Sequence, residues 1–403
     1  MKVATLVRWL ALALLAAGIA LTGTRTGGEP ALAPLGPSVV LRWGYNILRV
    51  TGETDPPPAF NPLPTGYRIE TVVEGLDRPA ALAATPDGRL LVAEQAGAVR
   101  VVQDGRLLDE PFVSVDARFV EVELGLVGIA VDSEFVQNGF VYLLYPAKDP
   151  DRTVVARVRD EGGRGVDLEE IFTVDFPAIQ HVGGALRSAP DGTLFVGIGD
   201  HERVNDAQEP TSPVGRILRL NRDGSFPLDN PFIGATYAYG LRNPFGIALD
   251  PKSGRVYASE NGFLGQDAVI EVKPGAFYGW PGPGFLLPGE GIRASADLRM
   301  PDETEEVEDP LLFFHSSLGM GGMEFYSSDV LSEFTGHLFF CQVNNGGALH
   351  EIEFAPDGAV KREAIRATGC TTGVTTGADG FLYFLNYAEG VLYRIASDAG
   401  SGP

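Results

Sequence analysis

The sequence predicts an all-β protein, a six-bladed β-propeller with four-stranded blades around a central channel. Three observations lead there. First, one device recurs six times, a Gly-containing turn followed by an alternating β run: PDGRLLVAE from Pro86, QNGFVYLLY from Gln137, PDGTLFVGIGD from Pro190, PKSGRVYASE from Pro251, FTGHLFF from Phe334 and ADGFLYFLN from Ala378. The turn glycines fall at intervals of 51, 53, 62, 82 and 44 residues, room for a four-stranded blade with its loops. Second, no long amphipathic helical pattern interrupts the runs, and a sheet unit that cannot bury both faces alone is stabilised by stacking radially on its neighbours. Third, the last run, Val391–Ile395, is placed to pair with Tyr67–Val73 and close the ring. A two-sheet sandwich is the competing architecture, and six copies of the device disfavour it.

Taken in chain order, Lys2 and Arg8 precede an apolar run from Trp9 to Leu21 that ends in small residues, the layout of an export signal. Its 13 residues fall short of the roughly twenty that span a bilayer, so a leader at 1–26 is expected, with an uncleaved membrane anchor over residues 4–22 as the alternative. Residues 27–64 are rich in Pro and Gly and read as a linker or loosely docked arm, with a short surface or arm helix over Val39–Val50 and a second membrane contact there as the alternative. The propeller is expected over 65–397. Its longest interval holds an insertion from Gly282 to Pro310, including DETEEVED, where six of eight residues are acidic. Such a run reads as a solvated loop, with a calcium site as the alternative.

The full chain of 403 residues carries a net charge of −22, which argues against a nucleic-acid partner. The two cysteines, Cys341 and Cys370, each flank a strand-like run in neighbouring repeats. In an exported protein they form either a disulfide or two buried thiols.

The polar residues that stand out lie at strand ends, which a propeller delivers to one mouth of its channel. His181, before Gly183 and Gly184, is the leading candidate, because an imidazole titrates near neutrality and takes a proton from an alcohol when a partner fixes its tautomer. Asp200, closing the strand FVGIG, is placed to be that partner. Arg242 and Asn243 follow YAYG, where a guanidinium offers a planar fork to an anion or a developing oxyanion. After Glu260 and Asn261, the backbone carbonyls of Gly262 and Phe263 are positioned to bind a hard cation. Glu123 precedes another inner strand and is expected to face the axis.

Over about Gly66 to Ile395 these residues resemble the soluble aldose dehydrogenases that use pyrroloquinoline quinone (PQQ), the glucose/sorbosone dehydrogenase type. The resemblance rests on LGLVGIAVDSEFVQNGFVYLLY, HVGGAL with APDGTLFVGIGD, GRILRLNRDGSFPLDNPF, YGLRNPFGIALDP and FYGWPGPG, taken in this order. It implies a six-bladed propeller that oxidises the C1 hydroxyl of an aldose or related sugar. His181 would be the general base, Asp200 its orienting carboxylate, and PQQ the hydride acceptor. Arg242 and Asn243 would contact the quinone oxygens, with Glu123, Gln180, His315, Asn344 and Thr372 around the rest of the cofactor. Calcium would sit on the carbonyls of Gly262 and Phe263, and electrons would leave to an external acceptor. The chain departs from that family where Asn344 takes a lysine position, Cys370 and Thr372 take arginine positions, Glu123 replaces glutamine and Phe263 replaces proline. Of the acidic motif beyond, only Asp267 remains.

Two other readings follow from the same residues. One is a non-catalytic propeller that binds a carbohydrate or a protein at its mouth. The other is a lactonase-like hydrolase with a divalent metal held by Glu123, Asn243 and Asp200. His201, His337 and His350 have no partner legible in the sequence.

Overall fold

The computed structural model describes residues 59–120, 124–178, 180–263, 266–281 and 306–397. The leader, most of the arm and the bulk of the Gly282–Pro310 insertion lie outside the described residues. So does Glu123.

The strands form six sheets set around one axis. The first blade holds β3 (Pro79–Ala84), β4 (Leu90–Glu94) and β5 (Ala98–Gln103), with short outer pieces β6 (Arg106–Leu107) and β7 (Val113–Ser114) both pairing with β5. The second holds β8 (Gly128–Val131), β9 (Phe140–Ala147), β10 (Arg152–Glu161) and β11 (Arg164–Val174), and the third β12 (Leu186–Ser188), β13 (Leu194–Ile198), β14 (Arg216–Leu220) and β15 (Thr236–Tyr239). In the fourth are β16 (Pro244–Leu249), β17 (Val256–Glu260), β18 (Asp267–Val272) and β19 (Leu312–Phe314). The fifth has β20 (Met320–Phe325), β21 (Leu338–Gln342), β22 (Ala348–Phe354) and β23 (Val360–Thr368). The sixth joins β24 (Val374–Thr376), β25 (Leu382–Asn386) and β26 (Val391–Ser397) to β2 (Tyr67–Val73).

Each of the six turn-plus-strand copies supplies the second strand of its blade. These strands are buried along nearly their whole length because both of their faces pack against a neighbouring blade. With a side-chain period of two, alternate residues enter alternate seams. In β9, Val141, Leu143 and Tyr145 pack toward the first blade, while Tyr142 and Leu144 pack toward the third. In β13, Leu194 and Val196 join the second-blade seam and Phe195 the fourth-blade seam. Six apolar clusters fill the six seams, so the core is a ring rather than a single centre.

The ring closes by antiparallel pairing of β2 with β26, from Tyr67 opposite Ser397 to Val73 opposite Leu392. The sixth blade is thereby built from both ends of the domain. One detail of the arm differs from a free linker. Residues Ala59–Phe60 form β1, a fifth strand parallel to β23, and the Arg366 guanidinium donates to the carbonyls of Asn61 and Pro62 just beyond it.

Cys341 and Cys370 are bridged, with Cα atoms 5.0 Å apart, in the seam between the fifth and sixth blades. Among the described residues no helix is long and apolar enough to cross a membrane.

The first strands of all six blades line an axial cavity of about 280 Å³. Its walls are mostly small residues and backbone, as in Ala80–Ala84 and Gly184–Ser188. An ion pair between Arg187 and Glu324, 2.7 Å, crosses from the third blade to the fifth at one end. The starts of the inner strands and the ends of the second strands meet at the other end.

Closing a loop of 29 residues constrains the unfolded chain, so replacing both cysteines, Cys341→Ser with Cys370→Ser, is expected to cost about 3.6 kcal/mol. Urea unfolding of the oxidised wild type and the double variant measures this; equal midpoints would contradict it.

Candidate active site

The third blade brings the base and its partner together. Strand β13 ends at Ile198, and Gly199 lets the chain pass against the backbone of His181, where an added Cβ would collide with the His181 carbonyl. Asp200 follows, wholly buried, and His181 is 8% exposed. The Nδ1 atom of His181 lies 2.8 Å from Oδ1 of Asp200. That oxygen also accepts the backbone N–H of Glu202 at 2.9 Å, and Oδ2 accepts the indole N–H of Trp280 at 2.8 Å. An ionised carboxylate accepts only, so Nδ1 carries the proton and the imidazole lone pair resides on Nε2. His181, His201 and Glu202 all have positive φ, at 54°, 49° and 60°. Such strained backbone in non-glycine residues concentrates where geometry serves function.

The fourth blade supplies the guanidinium. The Arg242 carbonyl accepts the backbone N–H of Asp200 at 2.7 Å, tying the two blades at this point. Nη1 of Arg242 donates to the carbonyls of Asn261, 3.0 Å, and Gly262, 3.1 Å, and its guanidinium carbon lies 5.7 Å from the Trp280 ring centre. Asn243 accepts the Gly183 N–H through Oδ1 at 3.0 Å. Beneath them Glu260 ends β17, and its Oε1 accepts the backbone N–H groups of Arg242, 2.5 Å, and Asn243, 3.3 Å. Burial pushes the Glu260 carboxyl up to about 8. Asp267 is also raised by burial, against three backbone donors, Leu318, Gly319 and Gly262, at 2.7, 2.9 and 3.0 Å.

A family model described as Glucose / Sorbosone dehydrogenase matches residues 76–394. The chain belongs to this family. It is 32% identical over 357 residues to an uncharacterized protein of Synechocystis, covering 81% of this chain and 85% of that one. It is 29% identical over 360 residues to the aldose sugar dehydrogenase of Escherichia coli, with 83% and 94% coverage. The crystal structure of the soluble aldose sugar dehydrogenase of Escherichia coli in its apo form superposes with a TM-score of 0.71 at 27% identity, over 82% of this chain and all but 1% of that one. The protein is a sugar dehydrogenase-like oxidoreductase of the glucose/sorbosone dehydrogenase family.

The remaining residues expected at the site of this family member divide into two groups. Gln180 lies beside His181 and donates to Glu202. His315 follows β19 and meets the Phe313 ring edge-on at 5.1 Å. Residues Val120 and Leu124, which flank the undescribed Glu123, pair with each other, and Gln95 Nε2 donates to both of their carbonyls. On the other side of the mouth the polar residues serve the scaffold. Asn344 donates to the Ser317 carbonyl at 2.9 Å, and the Thr372 hydroxyl donates to the Pro79 carbonyl at 2.7 Å, joining the sixth blade to the first. Cys370 is bridged to Cys341 and presents nothing to the mouth.

Of the side-chain oxygens expected in the lactonase-like metal site, those of Asp200 accept from His181, Glu202 and Trp280, and that of Asn243 accepts from Gly183, while Glu123 lies outside the described residues. Among the described residues no group of three or more His, Cys, Asp or Glu side chains is arranged for a metal ion. The Gly262 carbonyl accepts from Arg242; a carbonyl has two lone pairs, so one remains for a hard cation.

The histidines without a legible partner also find their places. His337 Nδ1 bonds Glu351 at 2.5 Å, and His350 lies between Glu363, 2.6 Å, and Gln342, 2.8 Å. Trp280 and Glu260 are the site residues that sequence reasoning missed. The signals were present: an indole inside a Gly/Pro-rich turn, whose N–H needs an acceptor once buried, and an acid ending an otherwise uncharged buried strand.

His201 is 2% exposed, and burial lowers its pKa to about 4. A lowered value means the unfolded chain binds the proton more tightly, so the folded state has its full stability above about 6.5 and loses it as pH falls toward 4. Chemical unfolding at pH 7 and pH 4 is expected to show a loss about 3 kcal/mol larger in wild type than in His201→Gln. Parallel losses in the two proteins would contradict this.

Proposed function

We propose that the protein is an exported quinoprotein that oxidises the C1 hydroxyl of an aldose or related sugar, with PQQ and calcium as cofactors and His181 as general base. The observation that carries this reading is the His181–Asp200 pair, which holds the imidazole through Nδ1 beside Arg242, whose carbonyl accepts the Asp200 N–H, and Asn243. The fit to a quinone rests on donors. Arg242 commits Nη1 to two carbonyls, and no described residue takes its Nε or Nη2. Asn243 commits Oδ1, while its amide N–H groups have no partner among the described residues. Quinone oxygens accept hydrogen bonds, so this donor set suits them. Arg242 and Asn243 would hold those oxygens, with Gln180, Glu123, His315, Asn344 and Thr372 around the rest of the cofactor and the carbonyls of Gly262 and Phe263 on the calcium. When bound, PQQ supplies a two-electron acceptor that calcium renders more electrophilic.

The residues of the chain then have separate tasks. Nε2 of His181 takes the proton of the sugar hydroxyl. Asp200 keeps Nδ1 protonated and stabilises the imidazolium that forms, as a buried carboxylate does in other acid–base pairs. The fixed guanidinium of Arg242 stabilises negative charge as electrons leave the sugar. An external acceptor then reoxidises the site. Export is supported by the apolar leader and by the Cys341–Cys370 bridge, since disulfides persist in oxidising compartments. The protein would work in the periplasm or outside the cell, released or held by residues 4–22.

A second reading, a propeller that binds a glycan or protein without redox chemistry, is favoured by one observation. The wall formed by Asn344, Cys370 and Thr372 is uncharged and committed to structural contacts. Titration separates the two. Of the three tryptophans, Trp9, Trp43 and Trp280, only the last belongs to the propeller, so its fluorescence in a Trp9→Phe, Trp43→Phe chain reports on the mouth. PQQ with calcium is expected to quench it saturably, and dye reduction by aldoses is expected to fall by about 1,000-fold in His181→Ala with quenching retained. Neither quenching nor turnover with any aldose would leave the binding propeller as the surviving reading.

A further inference from the structure

Trp280 reaches the mouth by an unusual route. It stands in the long connection between β18 and β19 of the fourth blade, yet that segment runs back across the third. Tyr239 N–H donates to the Ala276 carbonyl, Tyr278 N–H to the Tyr239 carbonyl at 2.9 Å, and Trp280 N–H to the Gly240 carbonyl at 2.9 Å. Phe277 pairs in parallel with Tyr239 on one side and Val307 on the other. Gly240, at φ 77°, permits this approach, since a Cβ there would run into the Phe277 ring. The crossing segment is thus anchored by several backbone bonds before it delivers the Trp280 side chain.

That side chain is 7% exposed, and two of its contacts bear on the site. Its indole N–H meets Oδ2 of Asp200 at 2.8 Å, the oxygen that His181 does not use, and its ring lies 5.7 Å from the Arg242 guanidinium carbon. A carboxylate held through one oxygen can turn about its last bond. Held through both, by His181 and Glu202 on one and Trp280 on the other, it has a single orientation. The aromatic face also favours a cation above it, so the guanidinium is fixed by the same group.

We propose that Trp280 is a positioning residue, whose indole N–H locks the Asp200 carboxylate that orients His181 while its ring face seats Arg242. This inference rests on the proposed oxidation, but part of it is readable without turnover. Trp280→Phe keeps an aromatic face beneath Arg242 and removes only the N–H. For an outer partner of this kind, kcat is expected to fall by about 10- to 100-fold with KM little changed, and the acidic limb of the rate profile is expected to move because the carboxylate facing His181 has lost a donor.

The second measurement uses the full chain with ¹⁵N-labelled tryptophan and Trp9 and Trp43 replaced by Phe. The Trp280 indole N–H signal is expected to lie downfield, to exchange slowly with solvent, and to lose both properties in Asp200→Ala. An indole signal indifferent to Asp200→Ala overturns the proposal, as does an active Trp280→Phe enzyme with unchanged kcat and rate profile. If wild type turns over no aldose, the oxidation reading fails separately, and the indole response alone then decides whether Trp280 fixes Asp200.

Discussion

The site depends on one buried anion. Asp200 has no exposed surface, and a carboxylate in that position is tolerated only when donors surround it. The donors come from three separate places: the His181 ring, the Glu202 backbone and the Trp280 indole, the last from the next blade. Its own backbone N–H bonds the Arg242 carbonyl. Satisfying this group therefore draws the base, the guanidinium segment and the crossing segment to one point. The propeller makes the convergence achievable, because inner-strand starts and second-strand ends of adjacent blades share one mouth.

The mouth is unequal around its rim. The third and fourth blades hold the polar machinery, braced by Glu260 under Arg242 and Asn243 and by Asn261, whose side chain exchanges hydrogen bonds with the Met320 backbone across the next seam. On the fifth and sixth blades, Asn344, Thr372 and the cysteine bridge tie loops and strands together. Chemistry is thus concentrated at one seam, while the opposite wall closes the ring. Tyr387 and Gln95 extend that closure, with the tyrosine hydroxyl donating to Gln95 Oε1 at 2.5 Å from the sixth blade to the first.

Much of the fold was legible because the most buried strands are also the most regular. The six second strands pack on both faces, which demands apolar residues along most of their length, each follows a turn glycine at positive φ, and the pairing of β2 with β26 follows from the two runs left over. Strand β1 was not legible, since two residues in a Pro-rich arm carry no pattern, and its docking depends on Arg366 some 300 residues away. The site divides in the same way. His181, Asp200 and Arg242 were visible as polar residues at strand ends. Trp280 was not assigned a role, because its partner Asp200 is 80 residues earlier and only the crossing segment brings them together. The cysteine pairing stayed open for a similar reason: sequence spacing gives no distance across a seam.

Asp200 fixes His181 as the Nδ1–H tautomer, leaving Nε2 to accept a proton. Long-range ¹H–¹⁵N NMR of the histidine rings tests it most directly at a pH where the imidazole is neutral. The structure predicts that His181 shows a protonated Nδ1 and an unprotonated Nε2. A protonated Nε2, with the lone pair turned toward Asp200, would contradict the account.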